Sequence, residues 1–107
     1  MAIEQRTLER LQHLQALYRQ GYQSDVIDRS LDKLIALERA AAERELASLQ
    51  ERLKAFEGRY VMSSPEFYQR FRAGELGDTA DFVEWSAFYE MWESVRERLV
   101  VLTTETA

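Results

Sequence analysis

A chain of 107 residues holds one ordinary domain, and 46% apolar against 31% charged residues excludes disorder along the whole length. One proline and four glycines are too few for a sandwich or barrel of many short strands, and the lack of cysteine excludes disulfides, zinc ribbons and thiol catalysis. The net charge of −5 is concentrated: residues 1–73 carry 12 bases against 11 acids, whereas residues 74–95 carry six acids and no base.

Residues 3 to about 20 read as a first helix, with Leu8, Leu11, Leu14, Leu17 and Tyr18 on one stripe and Gly21 as its stop. Ser24 or Asp25 offers the next N-cap, with Asp28 in the first turn to complement the helix dipole. From Asp25 to Glu57 there is no Gly or Pro, and strong helix formers prevail. Ile27, Leu31, Ile35, Glu38, Ala42, Leu46, Leu49, Leu53 and Phe56 recur at a mean of 3.6 residues, the period of a straight helix. Such a rod is about 50 Å long, whereas a compact domain of this size has a radius of gyration of about 13 Å. The first helix covers half of it, so the rest of the stripe is expected to pair with another chain.

Gly58 is the expected end of the rod, and Tyr60, Val61 and Met62 an apolar connector. Ser64, Pro65 and Glu66 read as N-cap, N1 and N2 of a short third helix carrying Phe67, Tyr68 and Phe71 and stopping at Gly74. Asp78, with Asp81 three residues on, offers the N-cap of a fourth helix running to about Val101. Phe82, Trp85, Phe88, Tyr89, Trp92, Val95 and Leu99 share one arc of it.

Little here suggests catalysis. His13 is the only histidine and lies off the leucine stripe, so a zinc site has no ordinary ligand set. Asp78, Asp81 and Glu84, at i, i+3 and i+6, could hold a hard cation, but acids at a helix start are explained by the dipole. Gly74–Gly77 lacks the Lys and Ser/Thr of a phosphate loop. No carboxylate pair stands out for acid–base chemistry. No metal, cofactor or catalytic residue is therefore assigned. The acidic segment repels nucleic acid and suits a basic protein. No apolar run approaches the roughly 20 residues that span a bilayer. Glu4 and Arg6 interrupt the place of an export signal, and a cytoplasmic location is expected.

Nine of the 12 aromatic residues fall between Tyr60 and Trp92. Asp81 and Glu84 flank the aromatic arc, where a fully buried face would not tolerate them unpaired. Phe67, Phe71, Phe82 and Phe88 are expected in the core. Tyr68, Trp85, Tyr89 and Trp92, with Glu75, Asp78, Asp81 and Glu84, are expected to contact a partner.

Two stretches also resemble a known group. Residues 21–38 (GYQSDVIDRSLDKLIALE) and residues 62–78 (MSSPEFYQRFRAGELGD), continuing through Asp81-Phe-Val-Glu-Trp85 to Tyr89, resemble small helical proteins of bacterial and archaeal toxin–antitoxin pairs. The resemblance covers most of the chain after residue 20 and implies an antitoxin role: binding and neutralising a cognate toxin, for example a small basic ribonuclease. The chain departs from many antitoxins in having no helix-turn-helix or basic arm, which speaks against direct operator binding.

The expectation is thus an all-α single domain. Residues 1–57 form a hairpin with one long central helix (about 25–57), residues 58–102 an acidic aromatic two-helix cap, and residues 103–107 a tail. A coiled-coil-like oligomer, a dimer by preference, would form through Ile27, Leu31, Ile35, Ala42, Leu46, Leu49, Leu53 and Phe56. The cap would occlude a basic toxin; the rival reading is a non-catalytic helical scaffold that binds only itself.

Overall fold

The computed structural model describes residues 3–104 and, as expected, they are all-helical, with no strand among the described residues. The elements are α1 (Ile3–Arg19), α2 (Asp25–Tyr60), α3 (Ser64–Arg72) and α4 (Ala80–Thr103). The expected tail reduces to Thr103, the last residue of α4, and its C-cap Thr104; residues 105–107 lie outside the described residues.

Three helices end in the same way. Gly21 has φ 93°, its N–H donates to Tyr18 O, and the Tyr22 N–H reaches back to Leu17 O, a Schellman stop for α1. Gly74, φ 79°, ends α3 with the matching bonds to Phe71 O and Arg70 O. At the end of α2 the Met62 N–H reaches Glu57 O, and the residue in the left-handed position is Val61, φ 50°. Gly58, expected to stop the rod, lies inside the helix instead. Two further helical residues, Arg59 and Tyr60, both bind Asp81 of α4, which holds that last turn in place.

Two caps fall one residue from their expected positions. Ser63, not Ser64, caps α3, its Oγ accepting from Glu66 N at 3.3 Å. Thr79, not Asp78, caps α4 by accepting from Phe82 N at 3.3 Å. Ser24 does cap α2, accepting from Ile27 N.

The described chain forms two compact units, residues 3–34 and 35–104, and the division falls within α2 rather than at residue 57. In the first unit Tyr18 is the polar hub: its hydroxyl donates to Asp28 Oδ1 at 2.7 Å and accepts from Ser24 N at 3.2 Å. That carboxylate acceptor, with partial burial, raises the Tyr18 pKa above its ordinary value.

In the second unit α4 runs antiparallel along α2. Asp81 meets Arg59, Trp85 stacks on Phe56, Phe88 lies under Arg52, Arg98 pairs with Glu45 at 3.2 Å, and Arg39 Nη2 donates to Leu102 O at 2.7 Å. This pairing corrects the expected oligomer interface. Ala42, Leu49, Leu53 and Phe56 are buried, and Leu46 half-buried, by α3 and α4 of the same chain. The physical reason is reach. A 24-residue α4, about 36 Å long, covers the α2 stripe that the sequence left bare. Ile27 and Leu31 stay half-buried and Ile35 exposed, so only that start of the stripe remains for another chain.

Candidate interaction surface

The ring residues of the second unit stack into a sealed core. The Phe67 and Trp85 rings lie 3.8 Å apart and 3° from parallel, with Phe56 stacked 5.5 Å from Trp85 and Tyr60 5.8 Å from it. Phe71 and Phe82 pack on Phe67. A buried polar relay crosses this core: Trp85 Nε1 donates to Ser64 Oγ at 2.9 Å, and Ser64 N donates to Glu57 Oε2 at 2.8 Å. Ser64 is 2% exposed, so the indole N–H has no water to turn to and the serine hydroxyl satisfies it.

Several expected contact residues are therefore not at the surface. Trp85 is fully buried and Tyr89 is 9% exposed, so neither presents its ring to a partner. The reason is that a ring arc on α4 packs as well against α2 and α3 as against another protein. Burial raises the Tyr89 pKa, with Glu93 adding to it. Trp92 is half-buried: the Arg96 guanidinium lies 4.9 Å above its ring, and its indole nitrogen is covered without a hydrogen-bond partner. Tyr68 is half-buried and donates to Glu90 Oε2 at 2.6 Å, which raises its pKa. Phe67 is fully buried and Phe71, Phe82 and Phe88 are half-buried in the core, where they were expected.

Two of the four expected acids are tied into pairs. Asp81 accepts from Arg59 at 2.7 Å and from the Tyr60 hydroxyl, and these bonds, Tyr60 first, hold its carboxyl below the usual range. The same contact raises the pKa of Tyr60, whose proton the carboxylate holds, and of Arg59. Glu75 lies 3.4 Å from Arg70. Asp78 and Glu84 are exposed. The structure thus separates the eight expected contact residues into ring core, ion pairs and two exposed carboxylates. Among the described residues no group of three or more His, Cys, Asp or Glu could hold a metal.

In the second unit, exposed apolar surface remains on the opposite face of α4, as well as at Val61, Val100 and Val101. Val83 is 51% and Met91 45% exposed, with exposed Ala87 between them at four-residue spacing and Glu84 and Glu90 alongside. The sequence carried a signal for it, since Val83, Ala87 and Met91 repeat with the helical period but off the ring arc. A helix apolar on two sides has more than one surface to cover. A cleft of about 110 Å³ between α2, α3 and α4, lined by Gln50, Lys54, Glu57, Tyr89 and Trp92 among others, is small. It falls below the ~300–1,000 Å³ of ordinary ligand pockets. No helix among the described residues is long and apolar enough to cross a membrane. No family model, curated protein or solved structure matches the chain.

Proposed function

We propose that the chain is a non-catalytic, antitoxin-like binding protein of the cytoplasm that neutralises a small basic toxin by covering its substrate surface. The observation that carries this reading is the outward face of α4, where exposed Val83, Ala87 and Met91 run beside Glu84 and Glu90. Apolar anchors supply affinity, and the carboxylates steer a basic partner and select its register. The contact residues proposed are thus Glu84, Glu90, Val83 and Met91, with Asp78 at the rim, rather than the rings of Trp85 and Tyr89. Co-expression with the product of the adjacent gene, followed by affinity capture, is the test. Capture that is lost in a Glu84→Lys/Met91→Asp variant supports the proposal. Absence of a complex with the wild-type chain refutes it.

A second reading, a helical scaffold that assembles only with itself, is favoured by a different observation: Leu8, Leu11 and Leu17 of α1 remain exposed. In that case rod-like self-association, dimeric or larger, occurs without any second protein.

A further inference from the structure

We propose that the hairpin of residues 3–34 is a homodimerisation element, its apolar face covered by the same face of a second copy of the chain. It does not depend on what the α4 surface binds, and it gives the self-association of the second reading a site and a copy number without requiring that the chain bind only itself. Three observations on the first unit carry it.

The hairpin has no core of its own. None of residues 5–34 is buried, whereas the second unit buries Trp85, Phe67, Val95 and their neighbours. Segments shorter than about 40 residues rarely hold together without a disulfide, a metal or a partner chain. The chain has no cysteine.

Most of its apolar residues gather on one face, with Val26 about a quarter-turn off it. Leu8, Leu11 and Leu34 are each at least half exposed, and Leu11, Leu14, Tyr18, Ile27 and Leu31 line a shallow groove of about 190 Å³ between the two helices. Leucines of a second hairpin have the size and shape to fill such a groove, giving a four-helix arrangement about a two-fold axis.

Charge selects the occupant. Residues 1–34 carry five acids (Glu4, Glu9, Asp25, Asp28, Asp32) and five bases (Arg6, Arg10, Arg19, Arg29, Lys33), so the segment is neutral, and residues 35–107 carry the entire −5. A basic partner is drawn to the second unit and gains nothing at the hairpin. A second copy meets the neutral face without repulsion.

Light scattering and sedimentation equilibrium of the full chain test the proposal. The wild type is expected at twice its 12.6 kDa mass. The double variant Leu11→Glu/Leu34→Glu is expected to be monomeric while keeping the near-ultraviolet signal of the buried Trp85. Val101→Glu, an exposed site in the second unit, is expected to leave the dimer intact. Should the double variant lose the Trp85 signal, Leu11→Gln/Leu34→Gln replaces it and is expected to weaken dimerisation at least tenfold; an unchanged constant then overturns the proposal. So does a monomeric wild type, or a dimer that survives the hairpin substitutions with the ring core intact. Toxin capture through α4 can persist in a monomeric variant, so failure of either proposal leaves the other standing.

Discussion

The indole of Trp85 lies flat on the ring of Phe67, 3.8 Å between centroids and 3° from parallel, and neither side chain has exposed surface. A tryptophan in that position works for the fold. Trp85→Ala should destabilise the protein by about 3–5 kcal/mol, the usual cost of emptying a buried aromatic site. Urea unfolding followed by near-ultraviolet circular dichroism reads this directly. A cost below about 1 kcal/mol, within the range of surface substitutions, would contradict the stacked core.

The two adjacent serines make a sharper comparison. Ser63→Ala removes the α3 N-cap, whose Oγ accepts from Glu66 N, and should cost about 1 kcal/mol. Ser64→Ala strands the buried Trp85 Nε1–H and should cost about 1–3 kcal/mol. Denaturation midpoints of the two variants, measured side by side, rank the contributions; Ser64→Ala should be the lower.

Val61 is a branched residue in the backbone position that glycine holds at the ends of α1 and α3, and its side chain is 89% exposed. Left-handed backbone costs an L-residue about 1–2 kcal/mol, part of which glycine returns as unfolded-state entropy. Val61→Gly should therefore raise stability by up to about 1 kcal/mol. A lower melting temperature for this variant would show that the Val61 side chain has a role in the fold.

Asp81 ties α4 to the end of α2, and its folded pKa is lowered, first by the Tyr60 hydroxyl and then by Arg59. A lowered carboxyl pKa gives stability that is fully present above the unfolded value of about 4 and lost as pH falls through the folded value. Tyr60 has the opposite sign. Its pKa is raised, so its contribution is present below the unfolded value of about 10 and lost as pH rises through the folded one. Asp81→Asn should flatten both limbs of a stability–pH curve at once. Parallel wild-type and variant curves would rule out the coupling.

The helices were legible because their punctuation is local. Gly21, Ser24, Pro65 and Gly74 act within one turn of where they stand, and the all-α reading follows from them and from the unbroken 25–57 stretch. What was not legible is which chain covers a given face. Leu49, Leu53 and Phe56 have the same periodicity whether they meet α4 of their own chain or a neighbour, and Trp85 has the same hydropathy in a core as on a docking surface. Gly58 misled for a related reason: Arg59 and Tyr60 extend the helix through tertiary bonds to Asp81, which no local rule contains. Asp78 and Thr79 are adjacent and both are competent caps, so local chemistry alone does not choose between them.

The antiparallel run of α4 along α2 also sets an order of opening. Its two ends are unlike: near residue 60 the strap is clinched by stacked rings and Asp81, and at the far end by the Arg39 guanidinium on Leu102 O. Leu102 is half-buried against the cluster of Ala42, Leu49 and Val95, but Val100 and Val101 are exposed, so fewer buried side chains back that last clasp than back the ring corner. Amide protons there should exchange first, and the helix should unzip from its carboxyl terminus while the corner beside α3 stays shut.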